Sequence, residues 1–248
     1  MQLSKALSII VGSTLLVSGS AYTLTTLYKN KLKRRLADQD YQISLIVQTG
    51  PQKCALPTQY LAELLDLSID EPQNLYAFSI SDATQKLLAS PLIESASIKP
   101  IKPSALYIDY KVRVPIAKLG NRSNTGIDRT GHQFPLEPYL SPKILPDLFL
   151  SSTQNVNQAL SIFEEISQRF LNEEFILERL DLSEIDAPSA GRQQIVAILL
   201  DEGHRRILRL SPKRYQQDIT NYLSLRKTLS AKESIVDLRL AETAFISN

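Results

Sequence analysis

Residues 106–119 read Leu106-Tyr107-Ile108-Asp109-Tyr110-Lys111-Val112-Arg113-Val114-Pro115-Ile116-Ala117-Lys118-Leu119. Leu106, Ile108, Tyr110 and Val112 share one face of an extended chain, while Tyr107, Asp109, Lys111 and Arg113 share the other. Such alternation marks a half-buried strand, because successive strand side chains point to opposite faces. Pro115 has no amide hydrogen, so it ends the strand or bends the chain into a new unit. The stretch closes one sheet and opens the next.

On its N-terminal side, residues 41–47 alternate with β-branched side chains and predict a strand, broken by Gly50-Pro51. Pro57 suits the first position of a helix running to Leu67, with Leu61, Leu64, Leu65 and Leu67 as its apolar side. A second helix is predicted from Ser79 or Ser81 to Ser90-Pro91, with Ala83, Leu87 and Leu88 facing inward. Residues 93–99 read as a strand, with Pro100 and Pro103 bracketing the turn into 106–114. The order strand, helix, helix, strand, strand buries every stripe if three strands form one sheet with both helices on one face.

On its C-terminal side, residues 116–119 and 126–134 predict short strands joined by a turn at 120–126. Pro135, Pro138, Pro142 and Pro146 mark an irregular crossing. Residues 155–171 form the strongest helix, with Val156, Ala159, Leu160, Phe163, Ile166 and Phe170 in one stripe behind a Ser/Thr/Asn cap. Strands are predicted at 175–182, 194–200 and 206–210, with Asp201-Glu202-Gly203-His204 turning a hairpin between the last two. Pro212 opens a helix to about Leu229, and residues 235–246 make a last strand. This second unit is mostly strands with two covering helices.

The totals exclude several chemistries. The chain has 248 residues and a formal net charge of +2, so it carries no nucleic-acid signature as a whole. With 8 glycines there is no glycine-rich phosphate cradle. Cys54 stands alone, which rules out an internal disulfide or a cysteine-based zinc site, and it is read as a half-buried small hydrophobe. His132 and His204 each fall in a predicted turn without a partner at metal or triad spacing. Glu164-Glu165 and Glu173-Glu174 read as solvated charge, and the acidic run Asp181, Glu184, Asp186 matches no ligand loop. Arg205-Arg206 and Lys213-Arg214 are expected on the surface, where they could meet a partner or anionic lipid. No catalytic constellation and no cofactor or metal site is expected.

From residue 6 to residue 27 no side chain carries a charge, and roughly 20 helical residues span a hydrocarbon core. Eight Ser and Thr residues dilute the run, but their hydroxyls can bond back to the preceding helical turn. The stretch is read as a retained anchor, with a cleavable signal peptide as the alternative. Lys29, Lys31, Lys33, Arg34 and Arg35 follow it, and their side chains can snorkel to lipid headgroups. Counted alone, this cluster would keep the bulk of the chain in the cytoplasm.

Three stretches resemble the FtsQ/DivIB family of cell-division proteins. Val114-Pro115-Ile116-Ala117-Lys118 is similar to the Val-Pro-x-Ala-Arg/Lys step that joins that family's POTRA domain to its β domain. Ile127-Asp128-Arg129-Thr130-Gly131-His132-Gln133-Phe134 is similar to its Val-Asp, Gly, Phe hairpin. Ile235-Val236-Asp237-Leu238-Arg239 is similar to the Val-Asp-Leu-Arg that opens its last strand. The chain departs from the pattern at Val112, where the family commonly has Glu, at Leu119, where an aromatic often stands, and in the run after Arg239.

The resemblance implies an α+β chain with an N-terminal transmembrane helix (residues 1–28) and a basic juxtamembrane linker (29–40). A POTRA domain of three strands and two helices (41–113) and a mostly antiparallel β domain with two covering helices and a C-terminal edge strand (114–248) follow. It implies a non-enzymatic, single-pass scaffold of the divisome in the cell inner membrane, its bulk on the periplasmic side. The implied partners are membrane proteins of the FtsB/DivIC and FtsL type, bound through the POTRA domain and the last strand. Lipid would be met through the helix and its five cations. Strand addition at an exposed edge fits this role physically, and places Leu240, Thr243, Phe245 and Ile246 at the contact. The alternative is a POTRA-containing envelope transport or outer-membrane assembly factor.

Overall fold

The computed structural model describes residues 2–49, 55–140, 144–151, 155–230 and 234–247, with side chains from Gly12 onward. Gly50-Pro51, Cys54, Pro142 and the cap residues 152–154 lie outside them. The chain is α+β and divides into two compact units, Met1–Val112 and Arg113–Asn248.

The first unit begins with helix α1, Gln2–Ala37. No proline interrupts it, and the hydroxyls of Ser18, Thr23 and Thr26 donate to carbonyls one turn earlier, so the polar side chains do not break the ladder. The helix runs through the basic stretch, which places Lys29 to Arg35 on helical turns. Among the described residues, no helix is long and apolar enough to cross a membrane.

Three strands follow: β1 (Leu45–Thr49), β2 (Ile93–Ile101) and β3 (Ala105–Val112), in the order β1-β3-β2. β1 lies parallel to β3, and β2 antiparallel to it. Helices α2 (Thr58–Leu64) and α3 (Ile80–Ala89) are inserted between β1 and β2. Ser79 caps α3 through its hydroxyl, which accepts from the Asp82 amide. Leu61, Leu87, Leu106, Ile108 and Val112 are all buried, so the helical stripes and the even-numbered face of β3 form one core.

Several expectations shift here: α2 stops at Leu64 with Pro57 as its N-cap rather than its first residue, and Leu88, expected to face inward on α3, is exposed. The strand predicted from residue 41 starts only at Leu45, because residues 41–43 bond instead to the 73–75 segment. β2 continues through Pro100, which sequence reading placed in the turn. It lies at the sheet edge, where a missing N–H costs nothing.

The second unit is a nine-stranded mixed sheet built from β4 (Ala117–Leu119), β5 (Thr125–Ile127), β6 (Gln133–Pro135), β7 (Asp147–Phe149), β8 (Ile176–Asp181), β9 (Ile195–Asp201), β10 (His204–Leu210), β11 (Ile235–Asp237) and β12 (Phe245–Ser247). Its order is β12-β11-β10-β9-β8-β7-β4-β5-β6. The β4–β7, β7–β8 and β10–β11 pairs are parallel and the others antiparallel. Helices α4 (Val156–Asn172) and α5 (Tyr215–Leu225) pack on it: Phe163, Ile166, Phe170, Ile219 and Tyr222 join Leu180, Ala197, Leu199 and Leu208 in one buried cluster.

Local chemistry explains the turns. Glu202 and Gly203 both have positive φ, as a two-residue hairpin between β9 and β10 requires. The single strand predicted over 126–134 is two, β5 and β6, because Asp128 folds the chain back. Its Oδ1 accepts from the amides of Thr130 and His132, and Gly131 adopts φ +83°. The proline-rich crossing hides β7, three residues that sequence reading left irregular. Pro212 precedes α5 by three residues rather than opening it.

A candidate edge for partner binding

The C-terminal segment was expected to be one strand over 235–246. It is two. β11 runs parallel to β10 and is flanked on both sides, whereas β12 turns back antiparallel to β11 and forms the outer edge of the sheet. The pairs are Ile235 with Ser247, Val236 with Ile246, and Asp237 with Phe245. Leu238 still donates to Arg209 O, the last ladder bond to β10, and the chain turns away only after it, where the Asp237 carboxylate accepts the Arg239 amide at 3.1 Å. Glu242 then takes φ +57° as the chain reverses.

The turn is fastened by charge. Arg239 Nε lies 2.9 Å from Asp237 Oδ1, and Nη2 lies 2.7 Å from Oδ2. Its Nη1 donates to Gly191 O at 3.0 Å, and Arg214 Nη2 donates to Arg239 O at 3.1 Å. Burial by itself would raise the Asp237 pKa. The hydrogen bonds from Arg239, with the charges of Arg239 and Arg209, outweigh it and hold the carboxyl below its usual value. Asp218 on α5 goes the other way: burial raises it, helped by the nearby Asp237 charge, although it accepts from the Ser211 amide at 2.8 Å.

The four sequence-predicted contact residues divide. Phe245 is 58% exposed and Leu240 60% exposed, and both line one open pocket of about 480 Å³ with Pro212, Lys213 and Arg239. Ile246 sits opposite buried Val236, and exposed Thr243 lies in the turn; neither lines the pocket. A row of three exposed residues at a sheet edge therefore borders a mixed notch, in which Leu240, Phe245 and Pro212 stand beside Lys213 and the paired Asp237 and Arg239. Sequence reading missed Pro212 and the Arg239–Asp237 fork as parts of this surface, and had Lys213 only as a surface cation that could meet a partner or lipid. The spacing of Asp237 and Arg239 was the available signal, since residues two apart on extended chain share a face.

Other expectations are settled elsewhere in the unit. Arg205 is exposed and pairs with Glu178, but Arg206 is buried rather than on the surface. Strand alternation turns it inward, where Nη1 donates to Ser230 O at 3.0 Å. In the acidic run, Asp181 accepts from the Ser183 amide and hydroxyl, and Glu184 pairs with Arg192. Glu164 pairs with Arg129, and Glu165 accepts from Tyr215, whose phenol burial and that carboxylate push up to about 12. Among the described residues no group of three or more His, Cys, Asp or Glu could hold a metal ion. No protein-family model and no curated protein matches the chain.

Proposed function

We propose that this protein is a non-enzymatic, single-pass membrane scaffold of the FtsQ/DivIB type, which captures another polypeptide by strand addition at β12. The observation that carries the reading is the place of β12. It is an edge strand whose three side chains are exposed and whose outer main-chain groups have no strand beside them among the described residues. An incoming extended segment would satisfy those groups, while Phe245 and Leu240 at the notch select its side chains.

Two further features support it. The first unit has the strand-helix-helix-strand-strand order and the single three-stranded sheet expected of a POTRA domain. Helix α1 falls short of the combined length and apolarity of an ordinary span, and its charge bias alone favours a cytoplasmic bulk. The reading therefore leans on its exposed Leu15, Leu16, Val17, Leu24 and Leu27, which gain by burial in lipid, and on a basic end that fits a headgroup layer. On this reading the bulk of the chain is periplasmic, and the partners are membrane proteins of the FtsB/DivIC and FtsL type. The POTRA-like unit supplies a second partner-binding surface.

A fluorescent fusion of the full chain in dividing cells tests the assignment. Accumulation at the septum is expected, and a uniform signal around the envelope in dividing cells contradicts it. A C-terminal reporter active only outside the cytoplasm tests the direction of the anchor.

A further inference from the structure

Helix α1 does not end in a free linker. The carbonyls of its last turn have no intrahelical partners, as at any helix C-terminus. A residue far along the chain supplies them. Asn74 Nδ2 lies 2.9 Å from Arg35 O, 3.3 Å from Leu36 O and 3.4 Å from Asp38 O. Asn74 is itself held, because its Oδ1 accepts from the Tyr76 amide at 2.8 Å.

The same short segment grips the helix end in two other ways. The Arg35 guanidinium stands 4.9 Å from the centre of the Tyr76 ring, and Tyr41 meets that ring edge-on at 5.0 Å. The main chain beyond the helix is stitched to it as well: Leu75 N donates to Tyr41 O at 2.8 Å, and Ile43 N to Gln73 O at 2.9 Å. The 3-10 turn Gln39–Tyr41 between these contacts is itself capped by the Asp38 carboxylate, which accepts from the Asp40 amide. No residue between Arg35 and Ile43 is thus more than a few positions from a fixed point.

We infer that residues 73–76 act as a clamp that makes helix α1 and the sheet of the first unit one rigid lever. Rotation or tilt of the helix reorients the three-stranded unit directly, without slack. The inference rests on these contacts alone and holds whether or not the helix lies in a membrane. If it does, the clamp fixes the attitude of the first unit to the lipid surface, which a flexible tether would leave free.

The test uses the full chain with Cys54→Ser and spin labels at Lys31→Cys on the helix and Lys99→Cys on β2. A second pair, Glu63→Cys with Lys99→Cys, reports the integrity of the sheet and helices. Both pairs should give a single narrow distance distribution by pulsed electron resonance. Asn74→Ala should at least double the width for the helix pair and leave the Glu63/Lys99 pair unchanged. If Asn74→Ala disturbs the second pair as well, Arg35→Ala decides, since it removes only the stacked cation. It should broaden the helix pair with the second pair intact. A broad helix-pair distribution in the parent chain overturns the inference, as does an unchanged width in a variant whose second pair stays narrow.

Discussion

The Arg239 guanidinium grips the Asp237 carboxylate through two parallel hydrogen bonds, of 2.9 Å from Nε and 2.7 Å from Nη2, at the start of the reversal that separates β11 from β12. Both side chains are mostly buried, at 26% and 17% exposure, so solvent screens the pair only partly. The fork fixes where β11 stops and how β12 returns, and hence which strand lies at the edge.

Removing it should loosen the edge before anything else. Arg239→Ala is expected to destabilise the C-terminal hairpin by about 1.5–3 kcal/mol, the range for hydrogen bonds to charged groups. Hydrogen exchange read by mass spectrometry should show faster exchange at 238–247 with β8, β9 and β10 unaffected. Equal acceleration across the sheet would mean the fork supports the whole unit instead.

Acid should act at the fork and at the β5–β6 turn on the far edge of the sheet. Asp237 and Asp128 both titrate below their ordinary value of 3.8, because hydrogen bonds to the charged form outweigh burial. The stability they supply is fully present above about pH 4 and is lost as pH falls through their depressed native values. Asp218 has the opposite sign: its raised pKa means that it costs stability as pH rises through its native value. Asp218→Asn should therefore gain on the parent chain between pH 3 and pH 7 in denaturant titrations. A constant offset across that range would show that its charge is not destabilising.

Gly131 tests the β5–β6 hairpin. Its φ of +83° suits glycine, and an added Cβ would lie 3.1 Å from Val156 Cγ1. Gly131→Ala should cost about 1–3 kcal/mol in chemical denaturation, as strained backbone positions do. A loss below about 0.5 kcal/mol would show that the turn relaxes without effort.

Inside the second unit, buried Tyr222 donates to Asp201 Oδ2 at 2.6 Å, and burial followed by this bond raises its phenol pKa. Tyr222→Phe leaves a buried carboxylate with one donor fewer and should lower stability by about 1–3 kcal/mol. An unchanged melting temperature would place the support in Arg226, 3.5 Å from the same carboxylate.

How much of this the sequence disclosed depended on the strength of each periodic signal. Helix α4, with Val156 to Phe170 in one stripe, and strands β8, β9 and β10 were legible because their patterns run over six or more residues. Strand β7 was not: Asp147–Phe149 offers three residues directly after Pro146 and gains its place only by pairing with β4 and β8. The C-terminal segment misled for a similar reason. Ile235 to Ile246 is apolar enough for one strand, and it is broken by the turn that Asp237 makes in accepting the Arg239 amide and by the reversal at Glu242. Of the candidate site, Phe245 and Leu240 were visible as exposed apolar residues near the end. Pro212 and Lys213 come to the same notch from the turn that leads into α5, a tertiary fact that no local pattern carries. The helix clamp was invisible too, since Asn74 and Arg35 lie 39 positions apart.

The central claim is that the exposed β12 edge binds an extended partner segment. Titration calorimetry of the full chain in detergent against a purified FtsB/DivIC-type partner measures it most directly, using Phe245→Lys. Loss of at least tenfold in affinity with an unchanged melting temperature is predicted, because a cation would replace the aromatic at the notch. Unchanged affinity, both for that variant and for a folded chain truncated after Arg239, would contradict it.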